Sequence, residues 1–380
     1  MNAAAAPPIA LQRCDRFVAR TMNWLYDHLR SLPRFTPVVL CDALMNREEF
    51  PELIAWKFNW SLTRRAWRRV SGARYYPTEW RRIKKLAPRV LHSHFGSVAR
   101  QDCRMHQALG TPWIVSFYGA DIFQRDRAER AEKYETVFRQ AERILALGPA
   151  MAAEIKELGC PQEKIVVHPL GVDVEQLASV PRTLHSDEPL KMLFAGTFRE
   201  KKGVQYVVEA AARARRAGVK LELKLVGDEM GKSGDRETKE AVFGSIRRLG
   251  IEDVVTHYPF MPFSELCDLA LTCHVFVAPS VTAADGDREG TPFVLQQMMA
   301  TGMPVISTVH ADIPYLFGAH AKWLVAERDA VAIANRLQMY FEEPDRLLAD
   351  GSALREQIDK SFNVRHCASH LGSLYQEIAS

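Results

Sequence analysis

Two series of short apolar runs, each alternating with helical patterns, constrain the fold of this chain more than any other feature. The runs cover residues 38–41, 90–95, 113–117, 144–147 and 165–168 in the first series, and 191–195, 221–226, 254–257, 275–278 and 304–307 in the second. Short runs rich in apolar residues are typical of strands buried on both faces, which need helices on each side of a parallel sheet. The sequence therefore predicts two successive α/β layers of the doubly wound type.

A stretch rich in proline and polar residues separates the two series. Residues 180–189, with the sequence VPRTLHSDEP, are typical of a linker. A chain of 380 residues is long for one core and fits two domains of about 150–200 residues. We expect a first domain over residues 1–180, a second over residues 190–358, and a final helix near residues 360–380 that packs back on the first. Because ligands bind at the carboxyl ends of parallel strands, facing domains predict a central cleft.

Composition excludes several classes of protein. With 47% hydrophobic and 25% charged residues, the chain is globular rather than disordered or collagenous. A net charge of +4 is small for this length and gives no overall field that favours nucleic acid. The seven cysteines are scattered without a C-x-x-C pair, so neither a zinc site nor a disulfide framework is predicted. The start lacks the basic region of a signal peptide, and we expect a cytoplasmic protein.

The candidate chemistry lies at two strand-to-helix turns of the second domain. At the first, a polar loop leads to Glu289, Gly290, Thr291 and Pro292, which open an apolar helix. Thr291 can cap this helix, Pro292 suits its first turn, and Gly290 allows close approach to the backbone. The N–H groups of a helix start favour a phosphate. Gln297 lies eight residues after Glu289, roughly 12 Å along a helix, so both could contact an extended nucleotide sugar.

The second turn has the sequence Glu200-Lys201-Lys202-Gly203 and follows the first strand of the second layer. A lysine at such a turn can place a positive charge on a diphosphate. An isolated pair of lysines is more often a solvated turn, and an isolated glutamate at a helix start often only compensates the helix dipole. The occurrence of both turns in this order favours a phosphate site.

Three segments resemble a known family. AGTFREKKGVQYVVEA, PSVTAADGDREGTPFVLQQMMATGMPVIST and LGVDV are similar to family 4 glycosyltransferases, in particular bacterial exopolysaccharide and colanic-acid-type enzymes, over about residues 90–315. The resemblance implies the GT-B fold, with two Rossmann-like domains facing a central cleft. It also implies a UDP- or GDP-sugar donor and a glycan or lipid-linked acceptor. The family's retaining transfer requires no protein nucleophile, no cofactor and no metal.

The resemblance also assigns roles to residues of the second domain. Glu289 matches the first acidic residue of the family's E-x7-E pattern, which contacts the donor sugar, whereas Gln297 replaces the second, which binds the ribose. An amide still hydrogen-bonds a diol but lacks the carboxylate's charge. Of the family's Arg-x4-Lys pair on the diphosphate, Lys202 is present, Thr197 replaces the arginine, and Arg199 is a displaced substitute. With Glu289 and Lys202 as catalytic residues, the donor site comprises Gly196, Thr197, Arg199, Lys201, Lys202, Glu289, Gly290, Thr291, Pro292 and Gln297.

In the first domain, Tyr118 stands where the family has the histidine of an H-G-x-D-like turn. A tyrosine, with an ordinary pKa of about 10, is a poor general base near neutral pH. Asp121 is either an acceptor contact or a helix cap. His92 and His94 share one face of a strand, as a metal pair or as hydrogen-bonded histidines, and the absence of a third ligand favours the second interpretation. The predicted acceptor site comprises His94, Gly96, Tyr118 and Asp121.

Two other classes of protein stay open. A nucleotide-sugar epimerase would share both layers but should carry its own acid and base carboxylates in the cleft. A catalytically silent sugar-binding protein would explain Thr197, Gln297 and Tyr118 together. Acceptor-dependent release of a nucleoside diphosphate distinguishes a transferase from both.

A basic segment of the first domain predicts an interaction surface. Residues 57–89 contain a single acidic residue, Glu79, and carry Trp60, Trp67 and Trp80 with Arg64, Arg65, Arg68, Arg69, Arg81, Arg82, Lys84 and Lys85. Four arginines recur at i, i+4 spacing and tryptophan suits the headgroup boundary, so one interpretation is docking on the anionic inner face of the cell membrane. The other is a solvated basic helix with its tryptophans in the core. Nucleic acid is less favoured because no fold-level motif supports it.

Overall fold

The computed structural model describes residues 6–18, 22–58, 62–71, 77–119, 121–123, 126–231 and 234–380, with the backbone alone for residues 62, 64, 65, 68 and 71. Within these residues the chain forms two parallel β-sheets, one in each domain, both covered by helices. The prediction of two Rossmann-like, doubly wound domains is confirmed.

The first domain contains a seven-stranded parallel sheet. Its strands are β1 (Ile9–Phe17), β2 (Thr36–Leu44), β3 (Ile54–Lys57), β4 (Val90–His94), β5 (Trp113–Ser116), β6 (Arg143–Ala146) and β7 (Ile165–Val167), in the order β3-β2-β1-β4-β5-β6-β7. The helices are α1 (Asn23–Arg30), α2 (Leu62–Ser71), α3 (Pro77–Lys85), α4 (Gly96–Leu109), α5 (Arg127–Gln140) and α6 (Pro149–Glu157). Five of these strands coincide, within a few residues, with the apolar runs of the sequence.

Strand β1, in the interior of the first sheet, was not predicted from the apolar runs. Its residues Gln12 and Arg13 are fully buried, so polar side chains interrupt the apolar pattern. The Arg13 guanidinium lies 3.0 Å from Asp42 and 3.4 Å from Asp102, and the Gln12 amide donates to the Tyr375 hydroxyl at 3.1 Å. Buried polar groups are tolerated when they are paired, and partners from distant parts of the chain satisfy this strand.

The second domain contains a five-stranded parallel sheet. Its strands are β8 (Leu190–Ala195), β9 (Leu221–Val226), β10 (Val255–Tyr258), β11 (Val275–Ala278) and β12 (Val305–Ser307), in the order β10-β9-β8-β11-β12. The helices are α7 (Val204–Arg216), α8 (Asp235–Leu249), α9 (Phe263–Leu271), α10 (Phe293–Ala300), α11 (Ile313–Phe317), α12 (Ala330–Glu342), α13 (Asp345–Phe362) and α14 (Val364–Ala379). Among the described residues, none of these helices combines the length and apolar character of a membrane span.

The last helix, α14, lies against the first sheet rather than the second. Its Leu371, Leu374 and Tyr375 pack in one apolar cluster with Ala10 of β1 and Ile114 of β5. The chain therefore crosses between the domains twice, once in the linker and once between α13 and α14.

Candidate functional site

Two loops meet at the carboxyl edge of the second sheet. One follows β8 and contains a short 3₁₀ turn, Glu200–Lys202, before α7. The other is irregular and runs from Pro279, after β11, to Pro292, before α10. Gly203 allows them to touch, because its φ is +66° and an added Cβ would lie 1.9 Å from the Pro279 carbonyl oxygen.

An ion cluster of Arg199, Lys201, Lys202, Asp287 and Glu289 lies where the loops meet. The Lys202 ammonium is 3.0 Å from one Glu289 oxygen, and the Lys201 ammonium is 3.2 Å from the other. The Asp287 carboxylate lies 3.2 Å from Lys201 and 2.8 Å from the Arg199 guanidinium. The sequence singled out four of these five residues and missed Asp287, whose only local signal is its position two residues before Glu289.

Burial and charge act in opposite directions on this cluster. Burial acts to raise the pKa of Glu289, but the ammonium groups of Lys202 and Lys201 outweigh it and lower that pKa to about 2. Burial acts to lower the pKa of Lys201, but Glu289 and Asp287 outweigh it and raise that pKa. Glu289 is therefore a carboxylate throughout the physiological pH range. It can accept hydrogen bonds from sugar hydroxyls but cannot serve there as a general acid.

The helix start near Glu289 differs from the sequence prediction. Helix α10 begins at Phe293, and Pro292 occupies the N-cap position with an extended ψ of 117°. The expected cap by Thr291 is wrong, since its hydroxyl oxygen is buried without a hydrogen-bond partner within the described residues. The expected common helix axis for Glu289 and Gln297 is also wrong, because only Gln297 lies in α10.

Two further residues, His310 and Glu327, were missed by the sequence reasoning. The backbone N–H of Glu289 donates to His310 Nε2 at 3.0 Å, and His310 Nδ1 lies 2.6 Å from a Glu327 oxygen. The other Glu327 oxygen accepts from the backbone N–H of Thr282 at 2.9 Å. The one sequence signal for His310 is that it follows the carboxyl end of β12, where ligand sites of such sheets lie.

In the first domain, Asp121 organises the turn after β5. Its carboxylate accepts hydrogen bonds from the backbone N–H of Gly96 at 2.9 Å and from those of Tyr118 and Gly119 at 3.1 Å. Of the two interpretations, the structure therefore displays the helix cap, at the start of α4. Gly96 serves packing, since an added Cβ would lie 2.3 Å from the Phe117 ring.

The histidines of β4 are hydrogen-bonded inside the first domain. His94 contacts the Tyr118 hydroxyl at 2.6 Å and Gln12 at 3.0 Å, while His92 contacts the hydroxyls of Tyr375 at 2.6 Å and Ser116 at 2.8 Å. Burial lowers the pKa of both imidazoles. His94 thus supports Tyr118 and presents no free nitrogen to the cleft, unlike the direct acceptor contact we expected.

The described residues at this edge of the first domain offer neither a cluster of metal ligands nor a strong base. Within the described part of the chain, no group of three or more histidine, cysteine, aspartate or glutamate side chains is arranged to hold a metal ion. Burial raises the pKa of the Tyr118 hydroxyl above its ordinary value, so the deprotonated form that a general base requires is even less populated near neutral pH. Its chemistry is limited to hydrogen bonding.

The carboxyl edges of the two sheets are in contact. A Cβ added to Gly119 would lie 3.3 Å from the Gly290 nitrogen. The Asp312 carboxylate of the second domain accepts from the backbone N–H groups of Ala150 at 2.7 Å and Met151 at 3.1 Å, at the start of α6. The turn that holds Tyr118 therefore faces the loop that holds Glu289.

The residues predicted to bind the donor lie at the carboxyl edge of the second sheet. A Cβ added to Gly196 would be 3.7 Å from the Lys202 side chain, and Gln297 is buried in α10. The donor residues in the loops are Gly196, Thr197, Arg199, Lys201, Lys202, Glu289, Gly290, Thr291 and Pro292. A buried carboxylate between two ammonium groups, facing a second domain, suits a ligand that combines anionic and hydroxyl groups.

Comparison with known families divides the chain as its fold does. Residues 18–176 match the family described as Glycosyltransferase Family 4, and residues 177–360 match the family described as Glycosyl transferases group 1. The boundary lies between β7 and β8.

Individual relatives agree with the family matches. The chain is 34% identical over 295 residues, 76% of its length and 70% of the relative's, to the Escherichia coli K12 protein WcaL, whose name assigns it a glycosyltransferase role in colanic acid biosynthesis. It is 30% identical over 301 residues, covering 78% and 72% of the two chains, to the amylovoran biosynthesis glycosyltransferase AmsK of Erwinia amylovora. The crystal structure of Anabaena HepE in complex with UDP shares the fold, with a TM-score of 0.79 at 14% identity over 97% of this chain and 100% of that one.

Proposed function

This chain belongs to glycosyltransferase family 4, and we propose that it transfers a hexosyl group from a UDP- or GDP-sugar to a glycan or lipid-linked acceptor during assembly of a surface polysaccharide. Family membership makes the chain a glycosyltransferase, and the names of its relatives support the polysaccharide assignment. The observation that carries the proposal is the buried Glu289 carboxylate between Lys201 and Lys202, opposite the first domain.

In this proposal the two kinds of group have separate tasks. The donor diphosphate competes with the Glu289 carboxylate for the Lys202 ammonium and binds it. The Glu289 carboxylate, released from Lys202, then accepts hydrogen bonds from the sugar hydroxyls. The unpartnered Thr291 hydroxyl is a further donor for the ligand. Because Arg199, Lys201 and Lys202 supply positive charge where the leaving group develops negative charge, neither a metal nor a cofactor is required.

We infer a retaining transfer. The bond between the anomeric carbon and the diphosphate oxygen breaks, the acceptor oxygen bonds to the same face of that carbon, and the leaving diphosphate takes the acceptor proton. This route suits a site in which Tyr118, the first-domain residue predicted to face the donor, is a poor base. Protein catalysis then consists of positioning and charge stabilisation.

The experiment is a matrix of UDP-, GDP- and ADP-sugars against glycan and lipid-linked acceptors, with release of nucleoside diphosphate measured with and without EDTA. We expect release that depends on the acceptor and survives EDTA. Epimerised donor in the absence of acceptor would indicate an epimerase, and binding without turnover of any pair would indicate a silent sugar-binding protein. The configuration of the product bond tests retention.

We also propose that the enzyme docks on the cytoplasmic face of an anionic membrane through α2 and α3. Thr63, Ala66, Trp67 and Val70 are exposed at i, i+3, i+4 and i+7 of α2, with Trp67 39% and Val70 89% exposed. On α2 and α3, the basic residues whose side chains the structure describes are all exposed: Arg69, Arg81, Arg82, Lys84 and Lys85. The side chains of Arg64, Arg65 and Arg68, and all of Trp60, lie outside the described residues.

The tryptophans divide between the two interpretations of this segment. Trp67 is exposed, as a headgroup contact requires, whereas Trp80 packs against the core of the first domain. An exposed apolar face flanked by cations suits the headgroup boundary, and each basic residue near an anionic leaflet contributes about 1 kcal/mol. A lipid-linked acceptor would make this docking useful.

Sedimentation with vesicles tests the docking. We expect binding to vesicles of phosphatidylglycerol and phosphatidylcholine at low salt, release by high salt, and none to phosphatidylcholine alone. Changing Arg64, Arg65, Arg68 and Arg69 to glutamate should abolish binding. A charge reversal of two exposed arginines on α8 of the second domain, Arg247 and Arg248, should not, and the double reversal Arg68→Glu with Arg69→Glu on α2 gives the comparison at equal charge. Equal effects of the two reversals would refute docking through α2.

A further inference from the structure

We propose that Glu327 and His310 form a brace that holds the donor loop, residues 281–289, and thereby positions the Glu289 carboxylate for transfer. Neither residue touches the ligand in this proposal, so both are positioning residues rather than catalytic ones. The inference rests on the proposed function for its activity readout alone.

The donor loop needs an external support. It contains one turn at Ala284 and Asp285 and otherwise no regular structure, so no helix or strand ladder fixes Glu289. Within the described residues, the Glu289 backbone N–H donates one hydrogen bond, to His310 Nε2 at 3.0 Å. That contact fixes the Glu289 backbone, while the Lys201 and Lys202 ammonium groups contact its carboxylate. Both sets of contacts therefore orient the carboxylate.

The hydrogen bonds determine the tautomer of His310. Because the Glu289 N–H is a donor, Nε2 must offer a lone pair, and the proton of a neutral ring must lie on Nδ1. This Nδ1–H points to the Glu327 carboxylate at 2.6 Å. A carboxylate partner stabilises this tautomer and fixes the orientation of the ring.

Glu327 connects both ends of the donor loop. One of its oxygens accepts from His310, which holds Glu289, and the other accepts from the Thr282 backbone N–H at 2.9 Å. Burial acts to raise the pKa of Glu327, but the Thr282 N–H and His310 outweigh it and lower that pKa. The ionised carboxylate, with two accepting oxygens, therefore suits this position better than an amide would.

His310 cannot itself contact the donor. Its side chain is fully buried, and both ring nitrogens are engaged. Its effect on transfer must pass through Glu289. His274 of the same domain is a matched control at the opposite edge of the sheet. Its buried imidazole accepts a hydrogen bond from the Lys191 backbone N–H and lies 3.8 Å from a glutamate.

Two variants test the brace. A glutamine at position 327 has one acceptor oxygen and one NH₂ group, so Glu327→Gln cannot accept from both His310 and Thr282 although its shape is unchanged. We expect Glu327→Gln and His310→Ala to lower kcat/KM for the donor about 10- to 100-fold, the range for groups that orient a functional ligand. Affinity for free nucleoside diphosphate should change less than about twofold, because Lys202 remains. His274→Ala should retain kcat/KM.

Combination with Glu289→Gln separates positioning from general damage. If the brace acts through Glu289, His310→Ala should lower kcat/KM less than about twofold further in the Glu289→Gln background. The inference would be overturned if the losses of kcat/KM in the two single variants multiplied in the double variant. It would also be overturned if His274→Ala lowered kcat/KM as much as His310→Ala. If the wild type transfers no sugar, the proposed function fails instead, and ¹⁵N NMR of His310 still decides the brace: a proton on Nδ1 supports it, and a proton on Nε2 overturns it.

Discussion

Replacing Glu289 by glutamine should separate recognition of the sugar from recognition of the nucleotide. The substitution preserves shape and removes the charge that faces Lys202 at 3.0 Å and Lys201 at 3.2 Å. At an effective dielectric constant of about 20, a charge pair at 3.0 Å has a gross attraction of about 5.5 kcal/mol, most of which offsets the desolvation of both ions. Asp287 still neutralises Lys201, and the Lys202 side chain is 21% exposed, so we expect a net stability loss of only about 1–2 kcal/mol.

The effect on transfer should be larger than the effect on stability. Loss of one charge-assisted contact that strengthens in the transition state costs about 2.7–4 kcal/mol, or 10²-fold or more in kcat. Free UDP should bind at least as tightly to Glu289→Gln as to the wild type, because the carboxylate no longer competes for Lys202. Lys202→Ala should instead weaken both UDP and the intact donor, since a diphosphate contact is lost in each.

The assay combines initial rates of transfer with calorimetric titration of UDP and of the sugar donor, beside thermal unfolding. Glu265→Gln, an exposed carboxylate of α9, is the control and should leave all three quantities unchanged. Near wild-type turnover of Glu289→Gln, or equal losses of UDP affinity in the Glu289 and Lys202 variants, would refute this division of tasks.

Three further outcomes are expected. Gln297→Glu should lower the KM for the donor about fivefold, because the carboxylate restores a charge-assisted hydrogen bond to the ribose. It should also lower the melting temperature in the absence of donor, because the new carboxylate is buried. An unchanged KM in steady-state kinetics would place the ribose elsewhere. Asp312→Ala should cost about 1 kcal/mol in urea unfolding, since the N–H groups of Ala150 and Met151 lose their cap, and no loss would contradict the contact between domains. Burial lowers the pKa of His28 to about 4 and that of His94 to about 3. In the unfolded state histidines titrate near pH 6.5, so the folded state binds these protons only at a lower pH than the unfolded state does. Stability should therefore be complete above pH 6.5 and fall towards pH 4 by up to about 1.4 kcal/mol per pH unit for each histidine, and equal unfolding free energies at pH 7 and pH 5 would be inconsistent with neutral buried rings.

Local sequence patterns were enough to predict both sheets in outline and most of the ion cluster. Val275–Ala278 was predicted with the observed bounds because a strand buried on both faces is apolar throughout, which is a local property. Lys202 and Glu289 were found because each lies next to a glycine between a strand and a helix, also a local pattern.

The contacts of these residues, by contrast, depend on how the chain folds in three dimensions. β1 escaped prediction because the partners of Gln12 and Arg13 make its polar side chains tolerable, and the partner of the Glu289 backbone, His310, lies 21 residues away. Thr291 was expected to cap α10, but the chain geometry at Pro292 starts the helix later. Turn and strand signals arise between neighbours in sequence, whereas the pairing of a buried polar group depends on which distant segments the fold brings within about 3 Å of it.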